Sequence, residues 1–400
     1  MASPNPRPRN PMRIALRHAP LLLLALAAAA PADAQAPIPA GQPWYARTAQ
    51  TVMRRNPRTM EKWDYTAGTV LNAIWQVGEH TGDPRYARYV RENMDAFVQP
   101  DGTIQTYRTE DFSLDQVAQG RLLVPLWERT HDNRYRRAAD VLRDQLRRQP
   151  RTAEGGFWHK QIYPRQMWLD GLFMAEPFYV RYAAAFHEPA AYDDVTRQFL
   201  LLARHTRDPR TGLLYHAWDE AHAQKWADPL HGTSASLWGR AMGWYSMGLV
   251  DVLDVLPATH RDRPELLRLL REFAEGITRV QDPVTGMWYQ VVDQPNRAGN
   301  YLESSSSAMF VYVLAKGVNR GWLDARYLPV ARRGFDGLVR NEVTVDSAGM
   351  VSIHHMCKTA GLGRPDERDG SYEYYLREPV VSDDYKGIGP FIMAALELRR

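Results

Sequence analysis

Asp170 is the residue in this sequence best placed for acid–base chemistry. It lies in the stretch Gly155 to Phe178, GGFWHKQIYPRQMWLDGLFMAEPF, beside Met167, Trp168 and Met174. A carboxylate among such neighbours loses hydration, which disfavours its charged form and suits it to general-acid work near neutrality. The plain alternative is a solvated aspartate at a helix start, favoured there by the helix dipole. Asp115 is the second candidate. Ser113-Leu-Asp-Gln116 has the form of a capping box, with Ser113 as N-cap and Gln116 reaching back, so Asp115 falls in a first helical turn where negative charge is favoured anyway. Two carboxylates at equivalent helix starts of successive hairpins would face each other across one cavity, a disposition suited to work on sugars.

Around these two stand groups that could hold a ligand. His159 and His216 each follow turn aromatics, and their separation does not fit a zinc motif, so hydrogen bonding to a ligand is expected and no metal or other cofactor. In Trp238-Gly-Arg-Ala-Met-Gly-Trp244, Arg240 has a planar fork matched to a carboxylate, or to a buried structural ion pair. Trp238 and Trp244 are six apart and fall on different helical faces, where they could stack on a sugar or simply fill the core. Tyr65 opens an earlier helical pattern and joins the same set. Ser304 to Ser307 lacks the G-x-S-x-G elbow of a nucleophile and reads as small residues opening a helix.

The elements that must position these residues are helices. Apolar residues recur at helical spacing over 45–55, 65–80, 84–98, 114–130, 133–147, 166–186, 190–206, 234–256, 263–280, 302–319, 324–340 and 386–399. Pro164 is expected in the first turn of the sixth pattern, which puts Asp170 in its second turn. A degenerate repeat punctuates them. Turns such as Thr81-Gly-Asp-Pro-Arg-Tyr86 and Thr130-His-Asp-Asn-Arg-Tyr135 end one helix and start the next, an aspartate or proline serving the new N-terminus. After each second helix comes a glycine-aromatic turn, as at Gly155-Gly-Phe-Trp-His159 and Gly212-Leu-Leu-Tyr-His216. Open helical arrays carry polar caps at their ends, whereas the last pattern here, Gly387 to Glu397, is as apolar as the middle ones. An all-α closed ring, the (α/α)6 barrel, is therefore expected, with the glycine-aromatic turns on one rim and their side chains converging on a bowl suited to a sugar.

The chain has 400 residues and begins with Arg7, Arg9, Arg13 and Arg17, an apolar run from Leu21 to Ala30, and Ala32-Asp-Ala34. This pattern reads as a secretory signal peptide over residues 1–34, too short to span a bilayer, leaving a single catalytic domain over 35–400. An exported protein, periplasmic or extracellular, is expected, with no membrane contact after cleavage. Removing four arginines and one aspartate takes the formal charge from +4 to +1, and no arginine stripe points to nucleic acid. Cys357 is the single cysteine, so an internal disulfide is excluded.

Strings in order along the chain resemble the unsaturated rhamnogalacturonyl hydrolases of glycoside hydrolase family 105. They are Leu114-Asp-Gln116 with Gly120-Arg121, Arg151-Thr-x-Glu-Gly-Gly-Phe-Trp-His-Lys160, Gln166-Met-Trp-Leu-Asp-Gly-Leu-Phe-Met-Ala-Glu-Pro-Phe178, His216-x-Trp-Asp219, Trp238-Gly-Arg-x-x-Gly-Trp-Tyr245 and Gly387-Ile-Gly-Pro-Phe391. The resemblance implies an (α/α)6 barrel without metal. It implies removal of a 4,5-unsaturated galacturonosyl residue from the non-reducing end of rhamnogalacturonan or pectin oligosaccharides by hydration of the C4=C5 bond. By position, Asp170 is then the proton donor and Asp115 the second carboxylate, while Tyr65, His159, His216, Trp238, Arg240 and Trp244 line the pocket. A monomer or weak oligomer is expected. The segment 343–377 has no counterpart in the matching strings. Two alternatives stay open: another toroid enzyme, such as an unsaturated glucuronyl hydrolase of other glycans or a polysaccharide lyase, and a non-catalytic exported oligosaccharide-binding protein.

Overall fold

Helices of two kinds make up the protein. In the computed structural model, which describes residues 36–363 and 367–400, the helices are α1 (Trp44–Arg55), α2 (Tyr65–Thr81), α3 (Pro84–Asp95), α4 (Leu123–Thr130), α5 (Asn133–Arg148), α6 (Leu169–Ala185), α7 (Ala191–Thr206), α8 (Gly239–Leu253), α9 (Arg263–Arg279), α10 (Ser304–Asn319), α11 (Tyr327–Glu342), α12 (Tyr372–Arg377) and α13 (Tyr385–Leu398). Residues 37–400 form one compact unit, and the expected signal peptide lies outside the described residues. Helix α5 buries Tyr135, Ala138, Ala139, Leu142 and Leu146, a stripe at helical spacing, and shows arginines elsewhere. Helix α10 buries every residue from Ser304 to Gly317. A striped helix belongs in an outer layer and one buried all round belongs inside.

The contacts follow that division. Helix α2 packs on α13, α13 on α10, α10 on α8, α8 on α6, α6 on the short 3-10 turn Ala118–Leu122 that leads into α4, and that turn on α2. The inner ring therefore closes. Each inner member carries one outer helix: α3 on α2, α5 on α4, α7 on α6, α9 on α8, α11 on α10, and α1 on α13. This is the expected (α/α)6 toroid. Asp83 and Asp132 cap α3 and α5 from the repeat turns, each accepting a backbone N–H of its first turn. Among the described residues no helix is long and apolar enough to cross a membrane.

One rim is held by a belt of backbone hydrogen bonds. Each glycine-aromatic turn folds back on itself, Arg151 pairing with Phe157 and Arg207 with Leu214, while Gly155 and Gly212 take the left-handed φ of 91° and 73° that the reversal demands. Neighbouring turns then join. The Leu114 N–H donates to the His159 carbonyl, the His159 N–H to Gln166, and the Leu169 N–H to His216. Strand β1 (Gln166–Trp168) pairs antiparallel with β2 (Ala217–Asp219), Gln166 opposite Asp219, and the Ser234 N–H continues the belt by donating to Ala217.

That belt corrects three helix starts. Residues 166–168 are extended, Arg165 has a left-handed φ of 60° that no helix from Pro164 could pass through, and α6 begins at Leu169, with Asp170 in its first turn. The Ser113 capping box does not form: Leu114–Gln116 is a 3-10 turn, the Ser113 side chain caps nothing, and the Gln116 amide serves Arg108 and Asp111. Helix α8 begins at Gly239 because residues 233–238 are tied to the rim. In each case, hydrogen bonds from a distant rim segment displaced a local helical turn of modest intrinsic preference.

Pro177 sits inside α6 and lacks the N–H that would serve the Phe173 carbonyl one turn earlier. Arg121, from the turn before α4, donates to that carbonyl at 2.6 Å and pairs with Asp251 of α8 at 3.5 Å. Its guanidinium also lies 4.0 Å from the centre of the Phe173 ring. One buried cation thus fastens three inner segments.

Candidate active site

Asp170 projects from the first turn of α6, and its side chain is 13 % exposed. Its Oδ2 lies 3.0 Å from Nε2 of His216, which precedes β2 and is fully buried. On the other side of the imidazole, Nδ1 is 2.7 Å from the hydroxyl of Tyr375 in α12. Trp168, two residues before Asp170, stands edge-on to His216 at 5.7 Å and stacks on His159 at 4.5 Å and on Tyr163 at 4.8 Å. The carboxylate therefore lies against an imidazole packed among rings and is open to water over a small fraction of its surface.

Asp115 is fixed by different forces. Its Oδ2 is 2.5 Å from Lys160 Nζ and its Oδ1 is 3.3 Å from His159 Nε2. Burial alone would raise its pKa, but Lys160 and His159 outweigh burial and hold the carboxyl well below the usual carboxylate range. Burial likewise opposes the charge on Lys160, and Asp115 more than restores it. Asp115 is therefore a permanent anion beside a permanent cation.

Tyr65 marks where the groups converge. Burial, reinforced by the charges of Asp115, Asp170 and Asp384 and opposed by Arg240, keeps its hydroxyl protonated far above the usual range. Its ring stands edge-on to Trp244 at 6.3 Å. Trp238 and Trp244 are each 1 % exposed. The ring of Trp238 lies 4.7 Å from His216 and 5.5 Å from Tyr375, and its indole N–H donates to Gln290, while Trp244 rests on Phe173 at 4.6 Å. The sugar-stacking and core-filling readings of these two tryptophans are thus weighted toward the core, where they back His216, Tyr375 and Tyr65. Arg240 lies over Trp238 at 4.9 Å, donates through Nη1 to the Cys357 carbonyl and to Ser305 Oγ, and leaves Nε without a partner among the described residues. All eight residues read from the sequence fall in this one network.

A family model for Glycosyl Hydrolase Family 88 matches residues 44–400. The chain belongs to that family. A solved glycoside hydrolase of family 105 from C. acetobutylicum ATCC 824 is 40% identical and superposes with a TM-score of 0.87, covering 90% of this chain and 99% of the other. Protein Atu3128 of Agrobacterium fabrum is 39% identical over 230 residues, 56% of this chain and 97% of its own length. The unsaturated rhamnogalacturonyl hydrolase YesR of Bacillus subtilis is 29% identical over 252 residues, 62% of this chain and 68% of its own length. The family 105 expected from the sequence strings is that of the 40%-identical solved hydrolase, and the chain is a glycoside hydrolase.

The structure of this family 88 hydrolase adds residues that sequence reasoning did not assign. Tyr375 arrives from α12, inside the segment 343–377 that carries none of the matching strings, and the run Tyr372-Glu-Tyr-Tyr375 after Ser371, which caps the helix, was the available signal. From the same segment comes the Cys357 carbonyl that holds Arg240. Glu303 accepts from the Ser306 and Cys357 N–H groups and from the Ser305 hydroxyl, tying α10 to that segment beneath Arg240. Lys160 was visible as the neighbour of His159. Its pairing with Asp115 was not, because the two are joined across separate hairpins. A group of possible metal ligands, Asp193, His260 and Asp262, lies in the outer layer at α7 and α9. There His260 and Arg261 meet Asp193 at 3.2 Å each, and Thr196 donates to Asp262.

Proposed function

We propose that this hydrolase removes a 4,5-unsaturated galacturonosyl residue from the non-reducing end of rhamnogalacturonan or pectin oligosaccharides. The observation that carries the reading is Asp170 beside His216, with the anionic Asp115 and the cation of Arg240 converging with it on Tyr65. The name of YesR supports the substrate class.

In this reading Asp170 gives its proton to C4 of the enol ether. Positive charge develops at C5, stabilised by the ring oxygen, and the Asp170 carboxylate takes a proton from the water that attacks C5. The resulting hemiketal opens to a C5 ketone, the former ring oxygen becomes a hydroxyl on C1, and the C1 hemiacetal collapses to an aldehyde as it releases the rest of the oligosaccharide. His216, braced by Tyr375, orients Asp170. Arg240 holds the uronate carboxylate. Asp115, kept anionic by Lys160, accepts hydrogen bonds from sugar hydroxyls and favours the developing positive charge. We further propose that the enzyme works after export.

The test is to follow ultraviolet absorbance of the unsaturated uronate with lyase-treated rhamnogalacturonan and with lyase-treated chondroitin. Absorbance should fall with the first. A fall with chondroitin fragments alone would transfer the activity to glucuronyl substrates, and a rise on intact polysaccharide would make the protein a lyase.

A further inference from the structure

Helix α6 carries a second acid that the chemistry above does not use. Glu176 is fully buried, and neither of its carboxyl oxygens has a hydrogen-bond partner among the described residues. Nδ1 of His159 is buried and unpartnered in the same way. Both residues line one small cavity of about 10 Å³, walled also by Leu114, Phe157, Met167, Leu172 and Leu202.

The other polar side chains on that wall are committed. Gln198 accepts from the Phe157 N–H at 2.8 Å and donates to the Gly155 carbonyl at 3.1 Å and to Asp194 at 3.2 Å. The Trp168 indole N–H donates to Gln166 at 3.1 Å. Gly171 opens the way to the imidazole, since a Cβ there would stand 3.1 Å from His159 Nδ1. A cavity of this size matches one water, which needs at least two polar partners. The unmatched carboxyl and the unmatched imidazole nitrogen are those partners.

We propose that Glu176 is a positioning residue: it donates through one buried water to Nδ1 of His159, which fixes the imidazole proton on Nε2, facing Asp115. Burial first, and then the charge of Asp194, push the Glu176 carboxyl well above its ordinary range, while Arg151 and Arg143 oppose without prevailing. Tyr179 also lies within its electrostatic reach. Burial and the lack, among the described residues, of any hydrogen-bond donor to either oxygen thus favour the protonated form of Glu176, which has a proton to donate. On the far side, His159 faces Asp115, which Lys160 also holds. Asp115 then has two fixed donors on one side, and its remaining acceptor capacity is left for the substrate. The inference rests on Asp115 serving the proposed reaction.

The experiment is long-range proton–nitrogen NMR on the full-length protein labelled with nitrogen-15 histidine, without substrate, the His159 signals being assigned with His159→Gln. The wild type should show His159 protonated on Nε2. Glu176→Gln, which keeps a donor, should retain that tautomer. Glu176→Met should move His159 toward protonation on Nδ1, leave His216 unchanged, and lower kcat on lyase-treated rhamnogalacturonan about tenfold with little change in KM. An Nδ1-protonated His159 in the wild type overturns the proposal, and so does a wild-type His159 signal in folded Glu176→Met. If Glu176→Met does not fold, the wild-type tautomer decides. The NMR readout needs no substrate, so failure of this relay and failure of the proposed activity appear separately.

Discussion

His216 Nε2 stands 3.0 Å from Asp170 Oδ2, with the Tyr375 hydroxyl 2.7 Å from the opposite ring nitrogen. The contact joins the start of α6 to the strand after the next hairpin, and the third member comes from near the end of the chain. Tyr375→Phe removes the brace without changing the ring that stacks on Trp238. We expect kcat to fall about tenfold with KM nearly unchanged, since misorientation near the reacting atoms costs rate rather than affinity. Steady-state kinetics on lyase-treated rhamnogalacturonan check this, and an unaltered kcat would remove Tyr375 from the arrangement.

Lys160→Met tests the electrostatics of Asp115. With Lys160 present the folded carboxyl titrates below its unfolded value. The pair therefore stabilises the fold fully above the unfolded pKa, and that stability is lost as pH falls through the depressed folded value. Without the cation, burial is opposed by His159 alone and the folded pKa rises. The acid limb of kcat/KM, which reports groups in the free enzyme, should move up by about one pH unit or more. An unmoved acid limb contradicts the assignment.

Much of this arrangement can be read from the sequence, and the part that cannot has a physical cause. The recurring turns and the apolar last pattern yield the double ring, and the stripe Tyr135, Ala138, Leu142 and Leu146 against the uninterrupted burial of α10 separates its outer helices from its inner ones. Asp170, Asp115, His159 and His216 are legible because each follows a turn that recurs along the chain. The start of α6 is not. Met167 and Trp168 fit a helical stripe and a buried strand equally well, and the choice is made by Ala217–Asp219, far along the chain. Tyr375 and the Cys357 carbonyl are illegible for a related reason: 343–363 and 367–377 fold back over the rim through long-range contacts that leave no period.

Arg240→Leu should raise KM for unsaturated uronides about tenfold or more, in line with loss of a hydrogen-bonded charge pair, with a smaller effect on kcat. Arg240→Lys should recover part of the charge and little of the fork geometry. Unchanged KM and kcat in both variants would place the carboxylate elsewhere.

Arg121→Met should destabilise the fold by about 2 kcal/mol, because it unpairs the buried Phe173 carbonyl and leaves Asp251 with Lys316 and Tyr312 alone. In a Pro177→Ala background, where a restored N–H can serve that carbonyl, the same change should cost about 1 kcal/mol less. Urea unfolding of the four proteins closes the cycle. Strict additivity would contradict the link between Arg121 and Pro177.

The most direct measurement is the loss of ultraviolet absorbance from lyase-treated rhamnogalacturonan by Asp170→Asn, alongside circular dichroism of the same sample. The account predicts a native spectrum and turnover reduced by about a thousandfold or more, as expected when a general acid is removed. A folded Asp170→Asn protein that clears the absorbance at the wild-type rate would contradict it.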